Sequence, residues 1–133
     1  RIDLTVDLRH PIETRLKEMD AAFRAGLDDL QAAESKIVIS LEEIWHSPVV
    51  LFDHTLTEAV RQSATGRGLP VQDVISGAGH DAFHMARAVP SALVFVPCRD
   101  GLSHNEAEYT SPEHAAAGAN VLLDVALRVA CAR

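Results

Sequence analysis

The far end of the chain constrains its fold most. Ser111-Pro112-Glu113 reads as a helix start, with a hydroxyl cap, a proline at the first helical position and an early acid. The helix it opens carries Val121, Leu122, Leu123, Val125, Ala126, Leu127, Val129 and Ala130, so it is apolar over much of its circumference. Such a helix expects cover on more than one side. Just upstream, Leu93-Val94-Phe95-Val96 is a continuous apolar run. It reads as a buried parallel strand, the kind of element at whose carboxyl end α/β enzymes place their chemistry.

The opening residues show a different period. Ile2, Leu4, Val6 and Leu8 alternate with Arg1, Asp3, Thr5, Asp7 and Arg9, as in a half-buried strand under way from the first residue. That abrupt start leads us to expect a truncated or proteolysed piece. Pro11 suits the first position of a helix whose Leu16, Met19, Phe23, Leu27 and Leu30 fall at three- and four-residue spacing. We read that stripe as core rather than as a binding groove. Ile37, Ile39 and Leu41 then alternate with Val38, Ser40 and Glu42 in a second strand, expected to pair with the first, and Ser47-Pro48 ends it. From Asp53, a cap residue, a helix carries Leu56, Val60 and Ala64 and fades at Gly66-Arg67-Gly68-Leu69-Pro70. A short strand is expected at 71–75, then a Gly-rich turn and a short helix over 80–88, stopped by Pro90. The fold class is therefore α/β, in two parts: a small sandwich-like piece over 1–48, and helix with mainly parallel strand over 49–133.

Composition removes several functions. With 12 Lys and Arg against 19 Asp and Glu, a formal charge of -7 argues against nucleic acid and anionic membranes as partners, because both require concentrated basic surface. Cys98 and Cys131 lack paired spacing, so neither a disulfide framework nor a thiolate zinc site is indicated. No apolar run is read as approaching the roughly 20 residues of a bilayer span, and no leader is seen. A cytoplasmic metabolic protein is the expectation.

Two loops carry the candidate chemistry. In Gly101-Leu102-Ser103-His104-Asn105-Glu106-Ala107-Glu108-Tyr109-Thr110, His104 follows the apolar run, and reads either as a metal ligand whose ring is oriented by Glu106 and Glu108 or as a solvent-facing loop histidine. In Ser76-Gly77-Ala78-Gly79-His80-Asp81-Ala82, Gly77 and Gly79 precede a helix and are suited either to backbone contact with an anion or simply to turning the chain. His80 and His84, four apart, would share a helix face and could meet one metal, although the zincin pattern's intervening glutamate is missing. Arg9 ends a strand on its polar face. Its guanidinium can clamp a carboxylate, or pair on the surface with Asp7 or a helix carboxylate, which composition alone favours. Cys98 reads as a small packed side chain rather than a nucleophile.

Taken in order, Leu4-Thr5-Val6-Asp7-Leu8-Arg9-His10-Pro11, Ile44-Trp45-His46-Ser47-Pro48, the Gly77–His80 turn, Phe95-Val96-Pro97 and the His104 loop resemble the N-carbamoyl-L-amino-acid hydrolase, allantoate amidohydrolase and β-alanine synthase family. These enzymes are relatives of the dinuclear-metal aminoacylases and carboxypeptidases. The resemblance spans essentially the whole chain but only the C-terminal portion of the family. It implies that 1–48 ends a lid domain that also dimerises, and that 49–133 returns into the catalytic domain. It implies that His104 is the last metal ligand, that Arg9 holds the substrate carboxylate, that Gly77 or Gly79 gives a backbone contact, and that His80 lines the pocket wall. His84 matches no family ligand. Two divalent ions, zinc or manganese, would activate water for cleavage of a ureido C–N bond in the intact enzyme. The other ligands and the general-base glutamate are absent here, so an isolated chain would be inactive. The implied partners are a carboxylate-bearing ureido substrate and a second copy or more of the chain. The competing readings are a noncatalytic dimerisation module and a small self-contained metal protein built on His80, His84 and His104.

Overall fold

The computed structural model describes residues 1–34 and 36–131. Among them are four α-helices: α1 (Glu13–Ala33), α2 (His54–Gly66), α3 (Asp81–Ala86) and α4 (Pro112–Cys131), with one turn of 3-10 helix at Arg99–Gly101. The chain forms two compact units, Arg1–Val49 with Ile75–Gly79, and Val50–Val74 with His80–Arg133.

In the first unit, α1 starts after Ile12, so Pro11 lies outside it rather than at its first helical position. The expected stripe is present but only partly covered: Leu16, Phe23 and Leu27 are half-buried, while Met19 and Leu30 remain exposed. The strands expected at 2–8 and 37–42 do not form. A strand exists by its ladder to a neighbour, and neither segment finds one among the described residues. Side chains stand in for a ladder partner. The Gln31 amide donates to the Ile37 carbonyl and accepts from the Ile39 N–H at 2.7 Å. Glu13 Oε2 accepts from the Val49 N–H at 3.1 Å. With no sheet, Ile2 and Leu4 are each 84% exposed.

In the second unit, the capping signals hold. The Asp53 carboxylate accepts from the Leu56 N–H at 2.9 Å, and Ser111 Oγ accepts from the His114 N–H at 3.2 Å, each supplying one of the helix donors that has no intrahelical partner. Gly68, at φ 71, adopts the left-handed turn that ends α2. Helices α2 and α4 pack on each other, and Ala59 and Ala64 of α2 and Gly118 and Val121 of α4 are buried. The strands expected at 71–75 and 93–96 are absent for the same want of a ladder, and Phe95 is 48% exposed.

Helix α4, at 20 residues, is long and apolar enough to cross a bilayer by length and composition alone, which corrects the reading that no apolar run approaches that length. Its polar contacts are those of a helix packed on protein. Asp124 accepts from Arg67 Nε and Nη2 at 2.6 and 2.7 Å and from Ser63 Oγ at 2.8 Å. Those bonds pull the Asp124 carboxyl from an ordinary 3.8 to about 2, the Arg67 bond contributing most. Because the folded value lies below the unfolded one, the stabilisation is complete above about pH 4 and fades as pH falls toward about 2. Acid titration followed by circular dichroism is expected to show loss of α2–α4 structure in that window, with Asp124→Asn flattening the response. An unchanged acid profile in the variant would remove Asp124 from the account.

Candidate functional site

Two groups of the singled-out residues come together, one in each unit. In the first unit Arg9 and Gly77, 68 positions apart, meet: Arg9 Nη1 donates to the Gly77 carbonyl at 2.5 Å. On its other side the guanidinium donates from Nε and Nη2 to Asp7 Oδ2, at 2.9 and 2.5 Å. The surface pair that composition favoured is therefore present, and Gly77 engages through its carbonyl rather than its N–H. The hydrogen bond from Arg9 holds the Asp7 carboxyl below the usual carboxylate range, and the same contact raises Arg9. A side chain on Gly77 would meet Arg9 in ordinary contact, at Cδ 3.8 Å and Nη1 3.9 Å away. A Cβ on Gly79 would meet nothing within 4 Å.

In the second unit His80 is the N-cap of α3, at φ -138 and ψ 150, outside the helix proper. The shared helix face expected for His80 and His84 consequently does not exist. His80 instead packs edge-on against Phe83 at 5.4 Å, Phe95 at 5.3 Å and the His104 ring at 5.8 Å between centroids. Phe52 backs Phe83 at 5.9 Å. The His80–His104 neighbourhood carries no short-range sequence signal, since the two are far apart along the chain; the aromatic three residues beyond His80 is the only local hint.

His104 sits at φ 55, close behind Asp100 at φ 57 and Gly101 at φ 67. For a residue with a Cβ the left-handed region costs roughly 1–2 kcal/mol, and such residues concentrate at functional sites. A bond network holds it there. Glu108 Oε2 accepts from the His104 N–H at 2.9 Å, the Glu108 N–H donates to the Asn105 carbonyl at 2.9 Å, and Asn105 Oδ1 accepts from the Ala107 N–H at 2.9 Å. The loop's ends are tied by Arg99 N–H to the Tyr109 carbonyl at 2.8 Å and by Thr110 Oγ1 to the Pro97 carbonyl at 2.8 Å. Glu108 thus grips the backbone of His104, where the sequence suggested a grip on its ring. Its other oxygen lies 3.8 Å from the Cys98 thiol, itself partly buried.

Among the described residues no three His, Cys, Asp or Glu side chains gather in a way that could hold a metal ion. His104 is one suitable donor with a second imidazole beside it, and His84 does not join them. The donors present do not complete a two-metal centre, nor do they build the self-contained three-histidine site.

The sequence profile of peptidase family M20/M25/M40 matches residues 7–128. The chain belongs to this family. Among M20/M25/M40 relatives, it is 39% identical over 130 residues to an N-carbamoyl-L-amino-acid amidohydrolase of Rhizobium meliloti, covering 98% of this chain and 31% of that protein. It is 29% identical to the allantoate amidohydrolase of Bacillus subtilis, with 98% and 31% covered. A solved amidase of the hydantoinase/carbamoylase family from Burkholderia multivorans superposes with a TM-score of 0.83 at 46% identity, over 92% of this chain and 29% of that one. The chain therefore spans about a third of the length of these relatives. The likeness to the solved amidase is consistent with the α/β class, even though no strand forms among the described residues.

Proposed function

We propose that this M20/M25/M40 chain forms the C-terminal part of a metal-dependent amidohydrolase that cleaves the carbamoyl C–N bond of N-carbamoyl-L-amino acids or a related ureido acid such as allantoate. The observation that carries the reading is His104, held in a left-handed loop by Glu108 with its ring against His80, in a chain similar over 98% of its length to an N-carbamoyl-L-amino-acid amidohydrolase. In this reading 1–48 belongs to a lid that dimerises and 49–133 to the catalytic domain. Arg9 receives the substrate carboxylate through charge-assisted N–H bonds. Gly77 and Gly79 admit the substrate to the backbone, and His80 is a further substrate-binding residue. His104 supplies one ligand to a zinc or manganese centre whose other ligands lie outside this chain, so the chain alone is inactive. The working form is a cytoplasmic homodimer or larger assembly.

The test has two parts. Calorimetric titration of the chain with zinc is expected to show only weak binding, since a single ligand does not make a site. Stoichiometric tight binding abolished by His104→Ala would overturn the assignment of the remaining ligands elsewhere. Joined in frame to the amino-terminal two thirds of the Rhizobium meliloti relative, the chain is expected to release ammonia from N-carbamoyl-L-amino acids. A folded, metal-loaded hybrid with no ureido-acid hydrolysis would sink the proposed activity.

A further inference from the structure

The contacts of Arg9 divide its guanidinium into an anchored part and an available part. Nε and Nη2 both donate to the same Asp7 oxygen, and Nη1 donates to the Gly77 carbonyl. Three of the five guanidinium N–H groups are thus engaged, which leaves two for a ligand. Asp7 and Arg9 are two residues apart, and both side chains are well exposed, at 59% and 64%. An unanchored arginine there would sample many rotamers, and its fork would have to be ordered by whatever it binds.

We infer that Asp7 is a positioning residue: it holds the Arg9 guanidinium side-on, with the Gly77 carbonyl fixing the opposite edge, so that the remaining N–H groups are set for the carboxylate of a ureido acid. This rests on the reading of Arg9 as the substrate-carboxylate clamp. It opposes the simplest electrostatic expectation, in which a second carboxylate beside Arg9 repels the ligand and its removal tightens binding. Both groups face open water, whose high dielectric weakens the repulsion between two carboxylates on one guanidinium. The ordering of a long, rotatable side chain is not screened, so the positioning effect dominates.

The two accounts predict opposite signs. In the isotope-labelled chain, the Arg9 Nε–H resonance is followed while N-carbamoylglycine is added, with its uncharged amide as control. The wild-type resonance is expected to shift with the acid and not with the amide. Asp7→Asn, nearly isosteric at an exposed position, is expected to weaken the acid's Kd about tenfold, the scale of one charge-assisted ordering contact, and Asp7→Glu to recover part of the loss. A wild-type response with unchanged or tighter binding in Asp7→Asn overturns the positioning role and leaves the Arg9 clamp standing. No acid-specific response in the wild-type chain overturns the clamp itself and the inference with it.

Discussion

Replacing Gly118 by alanine is expected to destabilise the packing of α4 on the 93–96 segment by about 1–3 kcal/mol, the usual cost of overpacking a close contact. The sign is the informative part. Glycine inside a helix ordinarily costs roughly 0.5–1 kcal/mol relative to alanine, so the substitution would stabilise an open helical position. Here a Cβ on Gly118 would come within 2.5 Å of Val96 Cγ1 and 4.0 Å of Val96 Cβ. Valine is stiff at its first torsion and has no long side chain to swing aside, so the backbone of the 93–96 segment or of α4 must shift. The neighbouring Val121 is only 3% exposed, and any shift is felt there. Trimming the obstacle with Val96→Ala is expected to recover most of the loss in the double variant. Denaturant unfolding of the four chains measures both effects. A Gly118→Ala chain as stable as the parent would show that Val96 does not hold α4 where the structure places it.

The helices were legible in the sequence because their signals are local. Asp53 and Ser111 cap the helices they were expected to cap, and the periodic apolar residues of α1 share a face. The strands were not legible in the same sense. The alternation of Ile2, Leu4, Val6 and Leu8 expresses a preference for a half-buried pleat, but the ladder that makes a strand depends on partners the alternation does not encode. The exposure of Ile2, Leu4 and Val6, and of Trp45 at 79%, is the mark of that missing cover. The candidate site divides likewise. His104, Arg9 and Gly77 were singled out from loop position and from resemblance, and the structure brings Arg9 to Gly77 and His104 to His80. The proposed sharing of a metal by His80 and His84 failed for a local reason, because an N-cap residue has extended backbone and does not share the helix's periodicity. Glu108 was picked as a partner of His104 but assigned to its ring. Four-residue spacing across a loop with positive φ at His104 leaves the carboxylate on the backbone N–H instead.

If the proposed roles hold, Arg9 and His104 should separate kinetically in the hybrid enzyme. In that reading Arg9 meets a part of the substrate remote from the bond that breaks, with a contact as strong in the ground state as in the transition state. Arg9→Ala is then expected to raise KM with kcat little changed, lowering kcat/KM about a hundredfold, the scale of two charge-assisted hydrogen bonds. Arg9→Lys keeps the charge but loses the planar fork, and should recover only part of that. In the same reading His104→Ala acts at the reacting centre. Even the outer partners of a metal ligand are worth about 10–100-fold, so loss of the ligand itself should lower kcat by more than about a hundredfold and reduce the metal retained after dialysis. Steady-state kinetics on a series of N-carbamoyl-L-amino acids, with metal analysis alongside, distinguishes the two patterns. A kcat defect in Arg9→Ala would move Arg9 toward the chemistry, and full metal retention with normal turnover in His104→Ala would remove His104 from the centre and with it the strongest structural support for the proposed reaction.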